Sequence, residues 1–106
     1  MAYQRVARLA ELPKGRGLCV RVGGLEVGLY RVGECVYAMA NACPHAGYPL
    51  HEGELEDRVI YCAGHGWPYD VETGRPPDVE VGEPLPRYPV DVRDDEVWID
   101  VEAPLV

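Results

Sequence analysis

Apolar and polar residues alternate along much of the first forty positions, a pattern typical of β-strands. Leu18, Val20 and Val22 lie on one face of the predicted strand 17–22, and Leu25, Val27 and Leu29 lie on one face of the predicted strand 25–32. Gly23-Gly24 between them is a typical two-residue hairpin connection. A further strand is predicted over 35–40, after the turn at Gly33-Glu34. Because no eleven-residue window keeps a clean apolar stripe of helical period, we expect an all-β chain of short antiparallel strands.

The second half of the chain predicts shorter elements. A short strand is expected over 58–61, with an acidic turn at 52–57 before it and a turn at 72–74 further along the chain. Residues 74–86 are rich in proline and acidic residues, which predicts an irregular connection. Residues 87–92 and 96–101 then predict a closing hairpin. At 106 residues the chain is long enough for one domain.

Two short segments each carry one cysteine and one histidine. They read Cys43-Pro44-His45 and Cys62-Ala63-Gly64-His65, with sixteen residues between His45 and Cys62. A zinc finger normally groups its cysteines in one knuckle and its histidines on one helix. Here each segment offers one thiolate and one imidazole, which suits a binuclear centre in which one metal takes both sulfurs and the other both nitrogens. A structural zinc site is the alternative.

At these residues the chain resembles the Rieske-type ferredoxins of the soluble, low-potential branch. The resemblance extends from Tyr3 to about Val101 and includes Gly66-Trp67 after the second histidine and Pro49-Leu50 after the first segment. It implies an antiparallel β-sandwich or barrel framework (1–39 and 72–106) with an inserted cluster-binding subdomain (about 40–71), together forming a single domain over 1–106. It also implies one Rieske [2Fe-2S] cluster and no catalytic residues. The implied iron ligands are Cys43, His45, Cys62 and His65.

Four more residues are expected to surround the cluster. Gly47 and Gly66 would let the backbone turn closely around it and direct amide groups at its sulfurs, although turns favour glycine in any case. Trp67 is expected to cover one flank. Tyr69 matches the family's tyrosine that donates a hydrogen bond to a ligand cysteine.

The sequence departs from the high-potential branch of the family at three positions. That branch joins its two loops by a disulfide, and the matching residues here are Tyr48 and Gly64. It also has a serine that donates to a bridging sulfur, where this chain has Trp67. Fewer donors destabilise the reduced cluster, so we expect a potential near the bottom of the roughly -150 to +300 mV Rieske range.

Three other potential metal ligands do not match the motif. Cys19 and Cys35 lie in predicted strands and are interpreted as small buried apolar residues. His51 lies between the two segments and is interpreted as a surface imidazole. Trp98, among apolar neighbours in the last strand, is expected in the core.

The formal net charge of -8 makes nucleic acid an improbable partner and favours docking against a basic patch of another protein. The alternative is that the acidity serves only solubility. The N-terminus lacks the apolar run of a signal peptide, and no apolar run approaches a membrane span. We therefore expect a monomeric cytoplasmic protein.

The expected function is one-electron transfer rather than catalysis. The resemblance implies a carrier that passes electrons from a flavin-containing reductase to a terminal oxygenase, such as that of a dioxygenase system. The chain contains no dinucleotide-binding glycine motif, so it must act between partners. One alternative is the small subunit of an NAD(P)H-dependent assimilatory nitrite reductase. A less favoured one is a structural zinc module that binds another protein.

Overall fold

The computed structural model describes residues 3–41, 49–62, 68–75 and 85–105. In that part of the chain the helical elements are two 3₁₀ turns, Leu9–Glu11 and Leu50–Glu52. No helix among these residues is long and apolar enough to cross a membrane. The strands are β1 (Gln4–Arg8), β2 (Leu18–Val22), β3 (Leu25–Val32), β4 (Cys35–Ala40), β5 (Glu54–Glu56), β6 (Val59–Tyr61), β7 (Pro68–Asp70), β8 (Arg87–Tyr88), β9 (Val90–Arg93) and β10 (Glu96–Ile99).

These strands form three antiparallel sheets, which confirms the all-β prediction. The first has the order β1-β10-β9, the second β2-β3-β4-β8 and the third β5-β6-β7. The hairpins predicted from turn residues are present. Gly23 and Gly24 close β2 against β3, and Asp94 and Asp95 close β9 against β10, all four with positive φ. Positive φ at both central residues is what a two-residue hairpin turn requires.

The second sheet buries both of its faces. In β3, Leu29 faces one apolar cluster while the next residue, Tyr30, faces the other, and in β4 Ala38 and Met39 divide in the same way. This division follows from the two-residue period of side chains along a strand. The sheet therefore lies between two separate cores.

One of these cores, called here the framework cluster, joins the first two sheets. Its strand residues come from β1 to β4, β8 and β10, and nearly all are aliphatic. Its buried members are Ala7, Leu12, Val22, Val27, Leu29, Val36, Ala38, Tyr88, Val97 and Ile99.

The other core, called here the site-side cluster, lies between the second sheet and the three short strands of the third. It mixes aliphatic, aromatic and sulfur-containing side chains. Its buried members are Tyr30, Met39, Leu50, Leu55, Ile60, Cys62, Tyr69 and Val71. One predicted iron ligand, Cys62, is thus part of this core.

Two segments differ from their predicted structure. The predicted strand over 87–92 is divided at Pro89, so that β8 pairs with β4 and β9 pairs with β10 in a different sheet. Proline has no N–H to donate to a ladder, which is why the pairing is interrupted there. The acidic segment 52–57 is not merely a turn. It contains β5, because Leu55 points into the site-side cluster while Glu54 and Glu56 on either side are exposed.

Three side chains predicted to be buried are not, and one of them, Cys19 in β2, is only partly buried. Cys35 is exposed because it is the first residue of β4, directly after the turn at Gly33-Glu34. Trp98 is only partly buried. It lies on the face of β10 opposite Val97 and Ile99, and its ring stacks against the Arg93 guanidinium at 5.2 Å.

Candidate metal centre

The two cysteine–histidine segments are positioned by the strands that precede them. The first follows β4, and the second follows β6 and precedes β7. Most of the predicted site residues lie outside the described residues, namely Cys43, His45, Gly47, His65, Gly66 and Trp67. Cys62 and Tyr69 are described, and both are in the site-side cluster.

A strand pair closes the base of the second segment. In the β6–β7 ladder, Tyr61 is opposite Pro68, so the chain leaves the sheet at Cys62 and returns to it six residues later. Cys62 is only 2% exposed and is a free thiol. Tyr69, opposite Ile60 in the same ladder, is also buried. The Cys62 thiol therefore lies directly after β6, where the β6–β7 pair fixes the position of the backbone.

A side chain closes the base of the first segment. Asn41, which follows β4 and is 4% exposed, accepts a 2.8 Å hydrogen bond at Oδ1 from the backbone N–H of His51. Its Nδ2 donates to His51 Nδ1 over 2.8 Å, and its backbone N–H donates to the Glu26 carbonyl over 3.1 Å. Asn41 and His51, which lie on the two sides of the segment, are therefore joined across ten positions by one amide.

His51 is consequently not the free surface imidazole predicted from the sequence. It is partly buried, and its ring nitrogen Nδ1 accepts a hydrogen bond from Asn41. Sequence reasoning missed Asn41. The available signal was its position, as the single asparagine of the chain two residues before Cys43.

The 3₁₀ turn Leu50–Glu52 and the glycine that ends it also lie against β6, the strand that precedes the second segment. Gly53, which ends this turn, lies so close to β6 that a Cβ there would overlap the Tyr61 carbonyl oxygen and lie 2.9 Å from the carbonyl carbon. Only glycine allows this approach between two backbones. Tyr61 directly precedes Cys62, so the contact bears on the position of that cysteine.

The two cysteines outside the motif have different surroundings. Cys19 is partly buried beside Asn41, and burial, reinforced by the nearby Glu26 carboxylate, raises the pKa of its thiol. A raised pKa disfavours the thiolate that metals require. Within the described ranges, no three His, Cys, Asp or Glu residues are grouped so that they could hold a metal ion.

The donor set of the motif fits an iron–sulfur cluster. Cys62, the member that the structure describes, is a free and buried thiol at the end of a strand. Thiolates are the ligands that iron–sulfur clusters take, and two histidines replace two cysteines on one iron in Rieske centres.

The surface beside the third sheet is acidic. Glu52, Glu54, Glu56 and Asp57 are all exposed. The nearby Arg58 is held in ion pairs, with Glu72 at 2.9 Å and Asp70 at 3.6 Å. This arrangement leaves the four carboxylates as a negatively charged surface, called here the acidic edge.

Comparison with known sequences identifies the family. The sequence model of the Rieske [2Fe-2S] domain matches residues 2–89. This chain belongs to the Rieske [2Fe-2S] domain family. Its cofactor is a Rieske-type [2Fe-2S] cluster, and it is an electron-transfer protein rather than a catalytic one.

Ferredoxin components are among its similar proteins. The ferredoxin component of the naphthalene 1,2-dioxygenase system of Pseudomonas aeruginosa is 39% identical over 88% of this chain and 89% of its own length. The solved ferredoxin of carbazole 1,9a-dioxygenase from Nocardioides aromaticivorans has 34% identity and a TM-score of 0.83, covering 93% of this chain and 97% of that one. A chain from a solved complex of reduced oxygenase and oxidized ferredoxin in carbazole 1,9a-dioxygenase has 33% identity and a TM-score of 0.84, covering 98% and 97%.

A structure described as a putative small subunit of NADPH nitrite reductase has a similar fold. Its TM-score is 0.82, but its sequence identity is 20%, over 93% of this chain and 98% of that one. At that identity the likeness shows the fold alone. The ferredoxin relatives, at higher identity, support the electron-carrier prediction over the nitrite reductase alternative.

Proposed function

We propose that Cys43, His45, Cys62 and His65 bind the [2Fe-2S] cluster, the cysteines on one iron and the histidines on the other. The family assignment and the burial of the Cys62 thiol support this ligand set. The bound cluster takes up and gives back one electron. The protein residues hold it, cover it and set its potential, and residues 40–71 form the subdomain that carries it.

This protein is proposed to carry electrons from a flavin-containing reductase to the terminal oxygenase of a ring-hydroxylating dioxygenase system. The observation that carries this proposal is the similarity, over nearly the whole chain, to ferredoxin components of such systems. A solved complex of such a ferredoxin with its oxygenase supports a direct protein–protein contact. We propose that the protein acts as a monomer through transient interfaces, which in electron-transfer pairs usually bury less than about 1,200 Å².

The acidic edge is proposed to guide a basic partner to the cluster. It follows the first ligand segment and precedes the second, and Arg58 is already paired with carboxylates. Charges of one sign on a docking face raise the rate of encounter, and salt weakens this effect.

A low reduction potential is proposed because the chain lacks two devices of the high-potential branch. Tyr48 and Gly64 cannot form the disulfide between the loops, and Trp67 cannot donate the serine hydrogen bond. A midpoint above about +100 mV, well inside the upper Rieske range, would contradict this part of the proposal.

Reconstitution with a ring-hydroxylating dioxygenase system tests the carrier role. Purified holoprotein should accept electrons from the system's reductase and support substrate oxidation by its oxygenase, whereas the Cys62→Ser variant should not. Replacing Glu54 and Glu56 with glutamine should slow the reaction at low salt and remove most of its salt dependence. Holoprotein that is reduced normally but never reoxidised by any such oxygenase would contradict the proposed acceptor class.

A further inference from the structure

The short segment 50–53 contacts the chain beside both ligand-bearing segments. At its first contact, the backbone N–H and the ring Nδ1 of His51 both bind the side chain of Asn41, each over 2.8 Å. Asn41 is two residues before Cys43. This contact fixes Asn41, on one side of the first segment, relative to His51 on the other side.

At its second contact, Gly53 packs directly against the peptide carbonyl of Tyr61, the residue before Cys62. The close approach is between two backbones, so no flexible side chain can yield to a larger residue. The N–H of Gly53 donates to the Leu50 carbonyl over 3.0 Å, which holds the turn closed at this point.

The segment itself is fixed to the rest of the fold. Leu50 is fully buried in the site-side cluster. The His51 carbonyl accepts a hydrogen bond from Gly17 N–H over 3.1 Å, and a Cβ on Gly17 would lie 3.1 Å from His51 Cα. A rigid element with close contacts at both ends can set a distance between them.

We propose that residues 50–53 act as a spacer that fixes the separation of the two ligand-bearing segments, with Asn41 and Gly53 as positioning residues for the cluster. This inference rests on the proposed ligand set. In that ligand set each segment would supply one cysteine and one histidine, so a change in the separation of the segments would strain every ligand bond. The spacer therefore affects the electronic structure of the cluster as well as its retention.

Gly53→Ala tests the second contact. The added methyl group forces the turn and the Tyr61 peptide apart, which should shift the midpoint potential and the EPR g-values of the reduced protein. It should also shorten the half-life of the cluster in an iron chelator by at least about tenfold, because overpacking a rigid contact is strongly destabilising.

Asn41→Ala tests the first contact by removing both hydrogen bonds to His51. It should also shorten the cluster half-life and shift the potential. His51→Ala is the matched variant that keeps the backbone N–H bond to Asn41, so its half-life should stay within about threefold of the wild type. Asn41→Asp should restore the half-life, because its carboxylate accepts from the backbone N–H and from a His51 ring that carries its proton on Nδ1.

Two control variants separate positioning from a general loss of stability. Gly24→Ala adds a methyl group at a positive-φ position in the β2–β3 turn, where no atom lies within 4 Å of the new Cβ. Asp100→Ala removes a buried carboxylate that accepts a 3.0 Å hydrogen bond from Glu102 N–H after β10. Both should lower the unfolding temperature while leaving the potential and the g-values unchanged.

The outcomes distinguish a failure of the spacer proposal from a failure of the proposed ligand set. If Gly53→Ala and Asn41→Ala keep the wild-type potential and g-values, or if the controls change these as much, the spacer proposal is wrong. If Gly53→Ala does not fold, the Asn41→Ala and Asn41→Asp variants test the spacer proposal by themselves. A wild-type protein without a Rieske EPR signal would overturn the proposed ligand set itself, whatever the variants do.

Discussion

The two cores on either side of the second sheet are built differently. The framework cluster is filled mainly by aliphatic side chains from strands of up to eight residues that pair over most of their length. The site-side cluster combines Tyr30 and Met39 of the second sheet with residues from three strands of only three residues each, and it includes Cys62. Strands this short supply few ladder hydrogen bonds, and small sheets are marginal without further support.

This difference indicates that the two regions differ in how far their stability depends on the cofactor. The framework cluster is mainly aliphatic, and its strands β2, β3 and β4 pair over most of their length. The site-side cluster contains a proposed iron ligand, Cys62. A bound [2Fe-2S] cluster would therefore contribute to the packing of this core. We therefore expect the framework to be stable without cofactor and the site side to depend on it.

Removing the [2Fe-2S] cluster should produce the largest difference between the two cores. In apoprotein prepared by acid and chelator, amide protection in β6 and β7 should fall by at least about a hundredfold, because metal binding and local folding are coupled. Protection in β2 and β3 should change by less than about tenfold. Hydrogen exchange measured by mass spectrometry checks this, and equal protection losses in both regions would contradict this difference in cofactor dependence.

A matched pair of core truncations should show the next largest effect. Ile60 and Ile99 are both fully buried, one in each cluster. Replacing either with alanine should lower the free energy of unfolding by about 2–5 kcal/mol. Only Ile60→Ala should also accelerate loss of the visible absorption band in chelator.

The control for this pair is the milder change to valine at each site. Each valine variant should lower the free energy of unfolding by about 0.5–1.5 kcal/mol. Faster cluster loss in Ile99→Ala than in Ile60→Ala would reverse the assignment of the two cores.

The smallest expected effect concerns Tyr30 in the site-side cluster. Its hydroxyl is buried against Gly28 and has no hydrogen-bond partner among the described residues. Burial, with a smaller contribution from Cys19, raises the pKa of this phenol. Because the folded-state pKa is above the unfolded value of about 10, ionisation of this phenol does not affect stability below pH about 10. The folded state loses stability as the pH rises from about 10 toward the folded-state pKa.

Tyr30→Phe should therefore be neutral or stabilising by up to about 1 kcal/mol at neutral pH, since it removes an unpaired buried polar group. It should also reduce the loss of stability above pH about 10. Urea unfolding at neutral and alkaline pH measures both. A clear destabilisation at neutral pH would mean that the hydroxyl makes an important hydrogen bond.

Much of the fold could be predicted from local pattern. The hairpin at Gly23-Gly24 and the turn at Asp94-Asp95 were indicated by residues that tolerate positive φ, and strand periodicity predicted which residues of β3 face one core. The sequence pattern did not predict the structure of segments whose conformation depends on tertiary contacts. The acidic charges of 52–57 suggested a turn, although the single apolar Leu55 between two glutamates already had the two-residue period of a strand.

For the candidate site, the sequence predicts a set of four ligands, which stays a prediction, but it does not indicate the residues that support them. Spacing indicated the cysteines and histidines, whereas the role of Asn41 depends on a contact across ten positions. His51 was predicted to be a surface residue because its type and position matched no motif. Gly53 was unremarkable in the sequence because the close approach of another backbone can be seen only in three dimensions.

The most direct test of the central claim is pulsed EPR on reduced protein containing histidine labelled with the heavy nitrogen isotope. A Rieske-type signal with strong couplings from two histidine nitrogens is expected. His51→Ala should keep both couplings, and His45→Ala or His65→Ala should abolish the cluster. A signal without histidine couplings, a signal lost in His51→Ala, or colourless protein with stoichiometric zinc would contradict the proposed centre.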